Sequence, residues 1–335
     1  MNNKMIGVIG GGSWATAIVK ILLENSKKHI NWWVRRKEAC DAIMHSNRNP
    51  HHLTDVQFQP GLIHADTDLS GVVGQSSHLI LAIPSAYLHT TLSQLSPDAL
   101  KGKKIVSAIK GVIPECCMGV SYYLERHYGV KREDICIVSG PSHAEEVSRG
   151  MPTFLTFASS NEALAREMEQ EMQCPFVHTS ATCDTEGVEG CGLGKNIYAI
   201  AAGICQGLGY GDNFNAVLTA AAARELQRLI DLVHPYPGRD FNAPCYLGDL
   251  LVTCWSRHSR NRALGEAVGK GASPAEVLAH SAHVAEGYYS AKSLHLIASQ
   301  RGLDGIVPIA EAVYRILHEA SDPKKEIAHL IKDVL

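Results

Sequence analysis

A glycine run set immediately after a short apolar segment constrains this chain more than any other feature. Residues 5–10 read MIGVIG, a helical pattern follows from Ser13 to about Asn25, and a second apolar run, INWWV, occupies 30–34. Strand, glycine turn, helix and strand in such quick succession form a βαβ unit. The turn itself, Gly10-Gly11-Gly12-Ser13-Trp14-Ala15, matches G-x-G-x-x-A. Gly10 permits the tight bend, Gly12 lets backbone approach a pyrophosphate, and the small Ala15 lets helix pack close to strand. The helix N-terminus then offers N–H groups and a favourable dipole to phosphate. These residues predict a dinucleotide site, with a purely structural glycine turn as the alternative.

Short apolar runs recur at 78–83, 104–109, 135–138 and 153–158, with helical patterns at 86–95, 115–128 and 161–173. That alternation predicts an α/β fold, with a Rossmann-type, doubly wound, mostly parallel sheet. After about residue 185 strand signals stop, and helical patterns follow at 188–207, 214–234, 247–257, 259–269, 274–280, 283–301 and 307–319. Residues 235–245 read as a loop within that block. The expected organisation is a dinucleotide-binding domain over 1–185 and an all-helical substrate domain over 186–335.

Composition narrows the partners. Lys and Arg number 31 against 34 Asp and Glu, a net charge of -3, so no strongly basic field is available to hold nucleic acid. Apolar stretches such as 197–208 are too short and interrupted for membrane insertion, and the first residues do not read as a secretory signal, so a cytoplasmic protein is expected. The ten cysteines show no C-x-x-C pair and read as buried free thiols, and the 17 histidines show no metal spacing.

The end of the second strand bears on the coenzyme. An acidic residue there would accept from a ribose 2′-OH, whereas arginine suits a 2′-phosphate. Arg35 and Arg36 stand there, with no acidic residue before Glu38. NADP(H) is favoured, and NAD(H) stays open because an arginine can stack on adenine. Three loops that follow strands, Ile83-Pro84-Ser85, Ile109-Lys110-Gly111 and Ser139-Gly140-Pro141-Ser142, should face the ligand crevice of an open sheet. Lys110 is a candidate phosphate or carbonyl contact. Ser142 either caps the next helix or touches substrate.

In the helical block, Lys195 lies in the apolar, glycine-rich segment GCGLGKNIYAIAA, where an unpaired ammonium would be costly. Asp249 has a similar setting four residues before Thr253, and Arg260 and Asn261 follow in SRNR. Together they supply a proton donor, an orienting carboxylate and an anion clamp.

These strings, with SGPSHAEEVSRGMPT, LGDLLVTC and VAEGY, resemble the NAD(P)-dependent glycerol-3-phosphate dehydrogenase family of the bacterial cytoplasmic type, in the family's order across nearly the whole chain. The resemblance implies reversible reduction of dihydroxyacetone phosphate to sn-glycerol 3-phosphate at the head of phospholipid synthesis, without a metal, by a homodimer. It assigns the proton donor/acceptor role to Lys195 and places Lys110 beside nicotinamide and substrate. It places Gly140, Ser142, Asp249, Thr253, Ser259, Arg260 and Asn261 around the substrate. It places Gly10, Gly12, Ser13, Trp14, Arg35, Arg36, Lys110, Ala144, Arg260, Val284 and Glu286 around the cofactor. The chain departs from the family at Ala220-Ala221-Ala222, where Thr-Arg-Gly is usual, and at 242–246, ahead of Gly248. Two rival readings are a ketopantoate or β-hydroxyacid reductase, and a catalytically silent dinucleotide sensor.

Overall fold

The computed structural model describes residues 5–25, 28–281 and 284–333. The chain forms two compact units, Met1–Ile109 with Val120–Thr185, and Lys110–Gly119 with Glu186–Leu335.

The first unit is built on one eight-stranded sheet in the order β3-β2-β1-β4-β5-β6-β7-β8. Its strands are β1 (Ile6–Ile9), β2 (Ile30–Trp33), β3 (Ile63–Asp66), β4 (His78–Leu81), β5 (Lys104–Ser107), β6 (Ile135–Ser139), β7 (Thr153–Ala158) and β8 (Val177–Thr182). All neighbours run parallel except β6 and β7, which pair antiparallel with Ser139 opposite Thr156. The central strands are largely apolar and buried along their whole length, IGVI in β1 and HLIL in β4, as a sheet covered on both faces requires. Helices α1 (Ser13–Asn25), α2 (Lys37–Ser46), α3 (Leu69–Gln75), α4 (Leu88–Leu92), α5 (Val120–Tyr128), α6 (Ala144–Ser148) and α7 (Glu162–Met172) connect the strands. α1 carries Ile18, Val19, Ile21 and Leu22 into the core. Trp32 meets Phe58 edge-on at 5.6 Å, and its indole N–H donates to the carbonyl of Gly10 at 2.5 Å, pinning the glycine turn to β2.

The second unit is helical: α8 (Thr185–Gly207), α9 (Asp212–Val233), α10 (Asp249–Trp255), α11 (Arg260–Gly269), α12 (Pro274–His280), α13 (Glu286–Arg301), α14 (Pro308–His318) and α15 (Pro323–Asp333). α8 and α11 cross almost backbone to backbone. A Cβ on Gly203 would run into the carbonyl of Arg262, and one on Gly265 into that of Ile200. This crossing brings the start of α11 alongside the helix that carries Lys195.

The structure corrects the sequence expectations at several places. β3 and β8 were not anticipated; both are sheet edges with mixed polar sequences, IHAD and VHTSAT, which lack the apolar run of a buried strand. α2, α3 and α15 are further additions. The helix expected from 115 begins at Val120, because 110–119 folds as a turn in which the N–H of Ile113 donates to the carbonyl of Met118 at 2.9 Å. That turn belongs to the helical unit, so the first unit is interrupted where an unbroken 1–185 was expected. The expected loop 235–245 ends in a π-helical turn, Pro244–Gly248, which runs directly into α10. Asp184 and Glu189, at the entry to α8, are buried.

Candidate active site

The helical unit holds a buried cluster of charge. Asp249, 1% exposed at the start of α10, accepts from Lys195 Nζ on Oδ1 and from Lys110 Nζ on Oδ2, the latter at 2.9 Å. Lys195 is 4% exposed, while the Lys110 side chain keeps 20% of its surface. Burial would raise the Asp249 carboxyl, but the two ammonium groups outweigh it and hold the group down at about 2. Burial pushes Lys195 down to about 8; Asp249 opposes that shift and the charge on Lys110 assists it. Two ammonium groups thus share one buried carboxylate. Such a place attracts an anion and contains an ammonium that releases its proton near neutral pH.

A chain of amides fixes the cluster. The Asn196 Nδ2 group donates to the carbonyl of Lys110 at 2.5 Å and to that of Gly192 at 3.2 Å. Its Oδ1 accepts from Asn261 Nδ2 at 2.9 Å, and Asn261 Oδ1 accepts from the N–H of Gly287 at 2.9 Å. The 110–119 turn, α8, α11 and α13 are thereby joined through buried, paired polar groups. Asn196 was not singled out from the sequence; its place beside Lys195 was the available signal. Asn261, expected around the substrate, uses its amide to bond both α8 and α13.

Other site residues divide between support and reach. The Thr253 hydroxyl donates back to the Asp249 carbonyl at 2.5 Å, and the Ser259 hydroxyl caps α11 by accepting from the N–H of Arg262 at 3.3 Å. Arg260, the first residue of α11, is exposed, and among the described residues its guanidinium has no ion-pair or hydrogen-bond partner. It stands at a helix N-terminus, where dipole and guanidinium both favour an anion. Val284 and Glu286 lie at the start of α13. Buried thiols line the unit: burial pushes Cys254 up to about 12 and Cys191 well above its usual range, leaving both neutral.

The sheet unit carries the second group. Gly10 has φ +135°, and a Cβ there would meet the Ala82 carbonyl; a Cβ on Gly12 would meet nothing within 4 Å. The open space at Gly12, the first turn of α1 and a buried Trp14 indole N–H with no acceptor among the described residues fit a phosphate-bearing dinucleotide. Asn49 and His52, both unanticipated, support the turn. Asn49 Nδ2 donates to the carbonyl of Gly11 at 3.0 Å and to Thr16 Oγ1 at 2.8 Å, and His52 Nδ1 lies 3.3 Å from Ser13 Oγ. Arg35 and Arg36 are exposed beyond β2, and among the described residues neither has an ion-pair or hydrogen-bond partner. After β6, Gly140 has φ +126° and abuts the Phe154 carbonyl. Ser142 does not cap α6; its hydroxyl donates to the Gly140 carbonyl at 2.8 Å, while His143 occupies the cap position and Ala144 opens the helix. Among the described residues no group of three or more His, Cys, Asp or Glu could hold a metal ion, and no helix is long and apolar enough to cross a membrane.

Residues 5–165 match the family model described as the NAD-dependent glycerol-3-phosphate dehydrogenase N-terminus, and 184–328 match the corresponding C-terminus. The chain is 35% identical over 327 residues to glycerol-3-phosphate dehydrogenase (NAD(P)+) 2 of Salinibacter ruber, covering 97% of this chain and 94% of that one. It is 34% identical to the glycerol-3-phosphate dehydrogenase (NAD(P)+) of Chlorobium limicola, covering 97% of each. The crystal structure of glycerol-3-phosphate dehydrogenase from Coxiella burnetii superposes with a TM-score of 0.88 at 28% identity, over 98% of this chain and 99% of that one. A ketopantoate reductase from Ralstonia eutropha, at a TM-score of 0.57 and 12% identity over 96% of this chain and 99% of that one, shares the fold alone.

Proposed function

Because this chain belongs to the NAD-dependent glycerol-3-phosphate dehydrogenase family, we propose that it reversibly reduces dihydroxyacetone phosphate to sn-glycerol 3-phosphate with NAD(P)H, using Lys195 as proton donor. The observation that carries the reading is the buried Lys195–Asp249–Lys110 cluster.

When bound, the nicotinamide supplies a hydride to the substrate's carbonyl carbon. As negative charge grows on the carbonyl oxygen, protonated Lys195 gives it a proton from Nζ, assistance worth about 10²–10⁴ in rate. A lysine held near 8 is mostly charged at neutral pH, yet surrenders its proton readily and recovers it in the reverse direction. Asp249 holds Nζ in place. Lys110, on the second carboxylate oxygen, keeps Asp249 ionised after Lys195 has become neutral. Arg260 and the α11 N-terminus bind the phosphate, and that remote binding fixes the carbonyl for reaction. Gly12, Ser13 and Trp14 would cradle the pyrophosphate, and Arg35 and Arg36 would take a 2′-phosphate, which favours NADP(H).

The product is the glycerol backbone of glycerophospholipids, which places the reaction at the head of their synthesis. A reducing, cytoplasmic setting suits the ten free cysteines. A homodimer is our reading for the assembly, with no nucleic-acid partner for a chain of net charge -3.

The test follows NADPH, and separately NADH, by absorbance after addition of dihydroxyacetone phosphate or ketopantoate. Oxidation with the phosphate substrate alone supports the reading. Oxidation with ketopantoate alone assigns the chain to the reductases that share its fold, and silence with both overturns the reading.

A further inference from the structure

We propose that Glu225 is a positioning residue for Lys195, acting through Tyr198. The proposal rests on the dehydrogenase reading above.

Glu225 lies on α9 and is 5% exposed, with no cation on its carboxylate among the described residues. Oε2 accepts from the N–H of Ile309 at 2.9 Å; Oε1 accepts from the N–H of Ala310 at 3.0 Å and from the Tyr198 hydroxyl at 3.2 Å. The two amides open α14, whose first residue is Pro308 and whose cap residue, Val307, makes no side-chain cap bond. Glu225 therefore caps α14 from another helix and replaces a local capping residue. Its third donor comes from α8. Tyr198, 1% exposed, follows Lys195 by three residues, the spacing that puts two side chains on one helix face.

A second contact ties the same helices at the residue before the lysine. A Cβ on Gly194 would stand 2.5 Å from Leu226 Cδ1 and 3.7 Å from the Tyr198 ring. α9 thus touches α8 on either side of Lys195, through Leu226 at Gly194 and through Glu225 at Tyr198. The lysine ammonium must meet Asp249 and the substrate oxygen together, so a small shift of α8 separates it from one of them. The titratable groups facing Glu225 are Tyr198 on α8 and Glu311 on α14, and Glu311 is held at 2.8 Å by His295 of α13. Burial keeps the Tyr198 phenol protonated, so it remains a donor.

Tyr198→Phe removes the α8 link and leaves the α14 cap intact. The expected result is a kcat for dihydroxyacetone phosphate reduction about tenfold lower, with both KM values within about twofold, because reacting groups are misplaced while binding persists. The Lys195 inflection in the pH profile should move. In a Lys195→Ala background the same substitution should cost nothing further, the signature of coupled residues. Glu225→Gln should act in the same direction. Should that variant fail to fold, Tyr198→Phe decides alone. An unchanged kcat in Tyr198→Phe, or an equal loss with and without Lys195, overturns the proposal. If the parent protein does not turn over dihydroxyacetone phosphate, the dehydrogenase reading has failed separately. A ¹⁵N NMR titration of Lys195 Nζ then decides the positioning role: a displaced midpoint in Tyr198→Phe upholds it, and an identical one overturns it.

Discussion

Asp249 gives one carboxylate oxygen to each of two lysines, Oδ1 to Lys195 and Oδ2 to Lys110. The two are not equivalent. Lys195 is almost wholly buried and titrates near 8, whereas Lys110 keeps a fifth of its side-chain surface. In the proposed reaction the buried lysine is the one that exchanges a proton, while Lys110 holds the other carboxylate oxygen of Asp249.

Asp249→Asn should therefore do more than loosen Lys195. It leaves two cations close together in a buried site, which costs about 3–5 kcal/mol when one partner of a buried pair is removed. Chemical denaturation should show that loss. The amine should titrate lower still, and reduction at neutral pH should fall with it.

Arg260→Ala tests the anion clamp. The side chain is exposed and holds no other part of the described protein, so folding should be unaffected. The KM for dihydroxyacetone phosphate should rise by about 10–100-fold, the value of a charge-assisted phosphate contact of roughly 1.5–3 kcal/mol. Steady-state kinetics with the substrate varied at saturating coenzyme give the answer.

Arg35→Ala and Arg36→Ala address the coenzyme. If these guanidinium groups read a 2′-phosphate, the kcat/KM for NADPH falls by about tenfold or more in each variant while that for NADH changes little. Equal losses with both coenzymes would assign the arginines to adenine stacking.

Glu225 makes a pH-dependent contribution to stability. Burial raises its carboxyl from 4.5 to about 7, so the folded protein holds that proton more tightly than the unfolded chain. The resulting stabilisation is complete below 4.5 and is lost as pH rises through 7. Thermal melting across that window should flatten in Glu225→Gln relative to the parent protein.

Much of this was legible in the sequence. Gly10–Ala15 after MIGVI reports a βαβ unit because glycine spacing and apolar runs are local signals, and Lys195 and Asp249 stand out as charges set in apolar or glycine-rich surroundings, with Arg260 close behind in SRNR. The edge strands β3 and β8 were hidden because an edge needs no continuous apolar run. The membership of 110–119 in the helical unit rests on bonds that span long stretches of chain, Lys110 to Asp249 and Asn196 to the Lys110 carbonyl, which no local pattern encodes. Glu225 sits in ARELQR, which reads as a solvated helix face; only the packing of α9 against α8 and α14 shows it to be buried.

The most direct test of the central claim is the pH dependence of kcat/KM in both directions, in the parent protein and in Lys195→Ala. Reduction needs the charged lysine and oxidation the neutral one. The parent should therefore lose reductive turnover and gain oxidative turnover through a common midpoint at about 8. Lys195→Ala should fall by about 10²–10⁴ and lose that inflection. Parent-like turnover in Lys195→Ala, or an inflection that survives the substitution, would contradict the assignment of Lys195 as the proton donor.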